Sequence, residues 1–405
     1  MKILITTDTY SPMVNGVVTS IKNLYGELKQ RGHDVRILTL SENYKEHIEN
    51  DIYYLSALHT RVYPGAKIQS PISGRVIKDI LFWQPDIIHS QTEFSVMLTA
   101  KLLSRILNIP IVHTYHTLYE DYLKYILGGK LITKRASIIL TRFVLLSGLA
   151  CIIIPTAKVE TILLGYGIKK PLVIIPTGID ISRFQKTYSL KEKLAVRLAL
   201  DIEQDTKLVV YIGRIGEEKN IQELFIYFGE FVKSAVNTKL MIVGGGPYLE
   251  VLKNIVQKLK LENEIIFTGM IEPQTVPLYY QLADVFVTSS TSETQGLTYI
   301  EAMASGVPVV CREDECVKGL VVTSETGYLY VDQDGFANGI KNVLALSPEE
   351  YASLQQRCRE KARNYSIEIF GKSVETLYLS LVRERKPLSI TRGVKSLRRR
   401  IKKVF

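Results

Sequence analysis

Two stretches of this chain repeat one plan: a short apolar strand, a turn-rich loop, then an amphipathic helix. Lys2 to Thr7 reads as the first strand, a loop leads to Gly16, and a helix follows from about Val17 to Arg31 with Val17, Ile21, Leu24 and Leu28 on one face. Strands are expected at Val35 to Thr39, at Ile87 to His89 after the Pro85-Asp86 turn, and at Ile111 to Thr114 after Pro110. Helix Val96 to Leu107 separates the last two. The plan restarts with strand Lys207 to Ile212, helix Asn220 to Val232, strand Lys239 to Val243 and helix Leu249 to Leu261. It continues with strand Glu264 to Thr268, helix Thr275 to Leu282 and strand Ala283 to Thr288. Strands alternating with helices in this way pair in parallel, so the chain is expected to be an α/β protein with two doubly wound parallel sheets.

The boundaries implied are an N-terminal domain over residues 1–180, a C-terminal domain over 181–365, a helix over 366–385 packing back toward the first domain, and a basic tail over 386–405. The linker between halves runs from about Pro176 to Ser189. Ligands of such folds bind outside the carboxyl ends of the strands, which predicts two domains facing across a cleft. With 405 residues and 46% hydrophobic content, the chain can build a core for each domain. Cys151, Cys311, Cys316 and Cys358 show no C-x2-C pair, so neither a zinc knuckle nor a disulfide framework is indicated, and a reducing cytoplasm is the simple inference. The N-terminus enters a strand directly, without the features of a signal peptide. The longest uncharged apolar run interrupts itself at Pro155 and is too short for a membrane span.

Chemistry-bearing residues gather where strands should end. ETQGLTYIEAMASGVPVV, from Glu293 to Val310, sets two glutamates eight positions apart around Gly296, where the helix Leu297 to Ala304 should open. Free N–H groups at a helix start favour an anion, and carboxylates accept from sugar and ribose hydroxyls, so Glu293, Gly296, Leu297 and Glu301 could frame a phosphate-bearing sugar ligand. Taken alone, Glu293 could equally cap the helix and Glu301 face solvent. Arg214 and Lys219 follow the strand Leu208 to Ile212 and could neutralise a diphosphate, or be solvated beside Glu217 and Glu218. The glycines from Gly244 to Gly246 could support a turn or let a ligand approach. Gly16 lies in the first βα loop, where a missing side chain lets backbone N–H groups reach phosphate, and the absence of G-x-G-x-x-G disfavours a nicotinamide enzyme. His116 closes a strand, and a lone histidine there is by default a hydrogen-bonded structural group. His113 and His116 lack further ligands at metal-binding spacing, so a metal pair is rejected.

In fixed order, KILITTDTYSPMVNGV, His116 with Thr117, IIPTGID with Phe184, YIGRIGEEKN, IVGGGP, FTG and the Glu293 to Val310 string resemble the retaining GT-B glycosyltransferases of the family 4 type. The resemblance extends from residue 1 to about 385. It implies two Rossmann-like domains, the second binding a nucleotide sugar. Within it, Arg214 and Lys219 would contact the donor phosphates, Glu293 the hydroxyls of the donor sugar and Glu301 the ribose. Gly16, Gly246, Gly296 and Leu297 would complete the donor site, and His116 would orient the sugar or move a proton. Family members are described as using front-face attack, in which the departing phosphate helps deprotonate the acceptor, so no protein nucleophile is needed. Gln295 departs from the phenylalanine usual at that position, and ETQGLTYIEAMASG, SQTEFS and HTLYEDY resemble the branch that glucosylates diacylglycerol in bacterial membranes. The activity implied is transfer of glucose from UDP-glucose to 1,2-diacylglycerol. The alternatives are a different hexose or extension of a glycolipid. The D-x-D at Asp332 and Asp334 follows TGYLY and reads as a surface turn, so no bound metal is expected and Mg2+ would at most stimulate.

The tail argues independently for a membrane surface. From Arg383 to Phe405 it holds ten Lys or Arg against one Glu, almost all of the net charge of +10. Leu397, Ile401 and Phe405 fall at helical spacing, as do Val394 and Val404, with Lys395, Arg398, Arg399, Arg400, Lys402 and Lys403 between them. That pattern fits an amphipathic segment lying on anionic lipids, with a disordered basic extension as the alternative. Lys130 to Leu146, basic and apolar with no acid, is a second candidate and could equally be an ordinary surface helix. The chain is therefore expected in the cytoplasm, peripheral on the inner face of the cell membrane. Nucleic-acid binding is the rival from another class. The tail's single aromatic and its apolar stripe count against it.

Overall fold

The computed structural model describes residues 1–13, 15–59, 67–70, 74–118, 134–235 and 237–384. The expected membrane-binding residues from Lys395 to Phe405, and Lys130 to Thr133, lie outside the described residues. Two compact units emerge, one of Met1–Gly178 with the chain from Ile367 onward, the other of Ile179–Ser366.

The N-terminal unit contains strands β1 (Lys2–Thr6), β2 (Asp34–Leu40), β3 (His47–Glu49), β4 (Ile52–Leu55), β5 (Ala57–His59), β6 (Lys67–Gln69), β7 (Ile87–Ser90), β8 (Ile111–Thr114), β9 (Cys151–Ile154) and β10 (Leu172–Ile174). Its helices are α1 (Gly16–Gln30), α2 (Arg75–Trp83), α3 (Ser95–Leu107), α4 (Lys134–Leu146) and α5 (Ala157–Gly165). Eight strands form one sheet in the order β10-β9-β8-β7-β1-β2-β4-β3, parallel except for the β3–β4 pair, and β5 and β6 pair separately. Alternation along β1 sends Ile3 and Ile5 to one core layer and Leu4 to the other, as expected of a sheet buried on both faces.

The C-terminal unit contains α6 (Ile181–Gln185), α7 (Leu190–Ala199), β11 (Lys207–Ile212), α8 (Ile221–Val232), β12 (Thr238–Val243), α9 (Leu249–Leu259), β13 (Ile265–Gly269) and α10 (Val276–Leu282). It continues through β14 (Val285–Thr288), α11 (Leu297–Ala304), β15 (Val309–Arg312), β16 (Gly327–Tyr330), α12 (Gln333–Leu344) and α13 (Pro348–Arg363). The six strands run in the order β13-β12-β11-β14-β15-β16, all parallel. Counted from β11, this is the 3-2-1-4-5-6 order of a Rossmann sheet.

Helix α14 (Ile367–Arg383) belongs to the N-terminal unit and packs on α1. Phe370, Val374 and Tyr378 enter the core layer beneath α1, and Gly371 admits Glu27 so closely that a Cβ there would stand 2.2 Å from Glu27 Cγ. Glu375 accepts from Arg31 Nε at 2.8 Å and pairs with His33 Nε2 at 2.8 Å.

Several element boundaries depart from the sequence expectation, among them β14, which starts at Val285 rather than Ala283. The apolar run around Pro155 is two elements, the end of α4 and then β9, separated by Gly148 at φ +77°. Helix α9 stops at Leu259 because Lys260 turns left-handed at φ +56°, and β13 starts at Ile265 rather than Glu264. The strands β3 to β6 were not expected at all. β3 (HIE), β5 (ALH) and β6 (KIQ) are three residues long with a polar or charged residue in each, and β9, β10 and β16 were likewise not among the expected strands.

Candidate functional site

In the C-terminal unit the strand order reverses between β11 and β14, and the loops leaving their carboxyl ends carry the expected donor residues. The first loop is folded against the glycine turn after β12. Ile215 N donates to Gly245 O at 2.9 Å, a Cβ on Gly244 would stand 2.0 Å from Gly213 O, and one on Gly246 would stand 2.1 Å from Ile215 O. Those two glycines are therefore demanded by packing of backbone on backbone, whatever else they do. Tyr211 Oη donates to Arg214 O at 3.1 Å, and the Arg214 guanidinium pairs with Glu218.

Lys219 and Glu293 meet. Lys219 Nζ lies 2.6 Å from Glu293 Oε1, and Ser290 Oγ donates to the same oxygen at 2.9 Å. Ser289 Oγ ties the two loops together by donating to Asn220 O at 2.6 Å. Gly296 follows at φ +74°, left-handed, where a Cβ would stand 2.3 Å from the Tyr299 ring. That conformation lets the chain turn directly into α11, which has no side-chain cap, so its first-turn N–H groups at Leu297 and Thr298 suit an anion. Inside α11, Glu301 Oε2 accepts from Tyr280 Oη at 3.1 Å. Burial raises the Glu301 carboxyl to about 7, opposed by the Tyr280 hydrogen bond and the Arg183 charge. Ser290 and Tyr280, which orient the two acids, were not singled out from the sequence. Only the run of hydroxyl residues before Glu293 hints at the first.

The N-terminal unit has its own reversal, between β1 and β7. Asp8, just past β1, accepts from Thr92 Oγ1 and Ser95 Oγ at 2.7 Å each and from Val96 N at 3.0 Å, which satisfies the start of α3 from across the sheet. Burial nevertheless raises its carboxyl above the usual aspartate value. His116, past β8, has Nε2 2.8 Å from Gln91 Oε1, and Gln91 is 2% exposed. Burial, helped by His113, lowers the His116 imidazole to about 3, so its ring is neutral at physiological pH. His113 pairs with Glu93 at 2.9 Å. Asp8, Gln91 and Glu93 were missed in the sequence because their partners are 20 to 90 positions away. Gly16 opens α1, where Asn15 Oδ1 accepts from Val18 N at 2.9 Å.

Residues 14–183 match Glycosyltransferase Family 4, and residues 194–365 match Glycosyl transferases group 1. The chain is a GT-B glycosyltransferase. This glycosyltransferase is similar to the alpha-monoglucosyldiacylglycerol synthase of Streptococcus pneumoniae (strain ATCC BAA-255 / R6), 36% identical over 94% of this chain and 86% of the relative. It is also similar to the protein of that name from Acholeplasma laidlawii, 31% identical over 94% of this chain and 98% of the relative. Among solved structures, Anabaena HepE in complex with UDP-glucose matches with a TM-score of 0.73 at 16% identity, over 94% of this chain and 100% of HepE. The glycosyltransferase thus shares its fold with HepE, while its sequence similarity to the lipid glucosyltransferases spans nearly its whole length. Asp332 of the glycosyltransferase's D-x-D caps α12, Oδ1 accepting from Gly335 N at 2.8 Å.

Proposed function

We propose that the protein transfers glucose from UDP-glucose to 1,2-diacylglycerol with retention, giving α-monoglucosyldiacylglycerol at the cytoplasmic face of the cell membrane. The observation that carries the donor half is the Lys219–Glu293 pair beside the uncapped start of α11. An incoming diphosphate offers Lys219 a stronger partner than one carboxylate, so the ammonium turns to phosphate and Glu293 is released to accept from sugar hydroxyls. Arg214 exchanges Glu218 for phosphate in the same way, and Glu301 takes the ribose. Developing charge on the departing diphosphate is met by two cations and the helix N–H groups, so no bound metal is required and Mg2+ modulates the rate at most. His116, held neutral, orients hydroxyl groups instead of shuttling a proton, because a base titrating near 3 is far from the working pH.

The acceptor half is supported by the names of the two relatives and by α4. This helix carries apolar residues on two faces: Val144 and Leu145 are buried at 8% and 0% exposure beside Ser137 and Thr141, while Ile139, Leu140 and Phe143 face outward at 66%, 57% and 73%. Arg135 and Arg142, also exposed, flank that apolar face. Such a surface suits an anionic bilayer. No helix among the described residues is long and apolar enough to cross one.

Incubating the full-length protein with UDP-glucose, UDP-galactose and GDP-mannose in vesicles containing diacylglycerol tests the whole reading. An α-glucosyl lipid made from UDP-glucose, identified by its anomeric proton coupling, is the expected product. Products formed only on water-soluble acceptors would overturn it. Phe143→Ser with Ile139→Ser should lower flotation with phosphatidylglycerol vesicles while leaving UDP binding in solution unchanged.

A further inference from the structure

The carboxyl ends of the strands do not exhaust the charged concavities of the C-terminal unit. A pocket of about 440 Å3 opens where β14 and β15 begin, at the opposite end of the sheet from Arg214 and Glu293. It is lined by Ala283 before β14 and by Ser305 and Val307 before β15. Lys193 from α7 and Arg359 and Arg363 from α13 also line it, and no carboxylate among the described residues does. Among the described residues none of the three cations makes an ion pair. Acids nearby in sequence are engaged elsewhere: Glu192 in the cap of α7, Glu360 with Gln356, and Asp284 with Lys207 and Leu208 N.

The cations of this pocket lie close together, near enough for the charge of Arg359 to act on Lys193. Ser305 is 2% exposed and forms part of the pocket wall. Arg359 is laid over Gly306, at φ +80°, so closely that a Cβ there would stand 2.4 Å from Nη2. The guanidinium is thus placed by the fold and not left to wander. Desolvation, and after it the neighbouring Arg359 charge, lower the Lys193 ammonium from its usual value.

We infer that Lys193, Arg359 and Arg363 form a second anion site, built for the oxygens of a phosphate monoester or diester. Two planar guanidinium forks and an ammonium are a donor set that suits such a group. The same chemistry is presented by free phosphate and by the phosphodiester of an anionic lipid. The site is independent of the donor reading, although α11 physically links them: it opens at Gly296 and ends at Ser305, whose N–H donates to Glu301 O at 3.0 Å.

The test is calorimetric titration of inorganic phosphate, at matched ionic strength, into full-length protein saturated with UDP so that the donor site is filled. Should UDP not bind, the titration into Lys219→Ala protein serves instead, which separates failure of this site from failure of the donor reading. Phosphate is expected to bind, and Arg363→Gln and Lys193→Gln each to weaken it by about tenfold or more. Arg363 is exposed and Lys193 half-buried, and neither makes an ion pair among the described residues, so unchanged melting temperatures are expected and will show that the fold is intact. Displacement of phosphate by phosphatidylglycerol vesicles, but not by phosphatidylcholine vesicles, assigns the site to a lipid headgroup. Binding without displacement assigns it to a soluble phosphate. No phosphate binding, or equal binding by wild type and both variants, overturns the site.

Discussion

The two switch points of this glycosyltransferase share a geometry and differ in charge. Each lies at the carboxyl ends of two neighbouring strands where the sheet order reverses, β1 with β7 in one unit and β11 with β14 in the other. In the C-terminal unit four of the site's groups face one another in opposite-charge pairs, Lys219 with Glu293 and Arg214 with Glu218, and Glu301 is raised by burial. In the N-terminal unit burial pushes both kinds of group toward neutrality, raising Asp8 and lowering His116. The contrast teaches that one topology supplies a position, while the depth of burial and the partners decide whether the residues there act as charges or as hydrogen-bonding dipoles.

Removing a charge from the ionised site should therefore have the largest effect. Lys219→Ala is expected to lower kcat by about 100- to 1,000-fold, the usual loss when one stabiliser of developing negative charge is deleted. Glu293→Ala should also be severe, and the double variant should lose less than the product of the two because the residues act as a pair. Strictly additive losses in steady-state kinetics would break the claim that the pair is a unit.

The pH dependence sharpens the comparison next. Glu301 titrates at about 7, so as pH falls through 7 it gains a proton and loses acceptor capacity, and KM for the donor should rise. Glu301→Gln should flatten that limb. His116→Asn should leave the limb in place even if it lowers the rate, because His116 is already neutral there. Folding has the opposite sign at Glu301: its folded value lies above the ordinary glutamate value, so its contribution to stability is fully present in acid and is lost as pH rises through 7. A KM profile that is level between pH 6 and 8 in the wild type, measured as about two decades of proton activity, would remove Glu301 from donor binding.

A third prediction separates scaffold from chemistry. Gly246→Ala places a Cβ 2.1 Å from Ile215 O, a backbone atom that cannot rotate away, and should cost about 1–3 kcal/mol in denaturant unfolding. The loops carrying Arg214 would be displaced with it.

The alternation of strands and helices was legible because both sheets are buried on two faces, which writes each strand as an apolar run such as Leu208 to Ile212. The C-terminal donor residues were legible for a related reason. Glu293, Gly296 and Glu301 sit within nine residues of one another, and Arg214 and Lys219 lie in the loop that leaves β11, so local spacing encodes most of that site. The N-terminal network was not legible. Asp8 is completed by Thr92, Ser95 and Val96, and His116 by Gln91, pairings that exist only once β1, β7 and β8 lie side by side. Pairing also escaped the sequence for the cations, since nothing in the spacing of Lys219 and Glu293 announces that they touch.

The smallest expected effect concerns how the N-terminal unit is closed. Its sheet borrows α14 from the end of the chain, while the C-terminal unit is covered by helices drawn from its own continuous stretch. Glu375 fastens that borrowed helix through Arg31 and His33. Desolvation works to raise its carboxyl, but hydrogen bonds from Arg31 and His33 outweigh it and leave the group below the ordinary glutamate value. A lowered folded value means stability that is present at neutral pH and disappears as the group is protonated in acid. Glu375→Gln should therefore cost about 0.5–1 kcal/mol near neutrality, in keeping with a largely surface-lying ion pair. The gap to wild type should close as pH is lowered past the glutamate range. A constant gap across pH would mean that α14 is held by Phe370, Val374 and Tyr378 alone, with the Arg31–Glu375–His33 cluster contributing shape rather than charge.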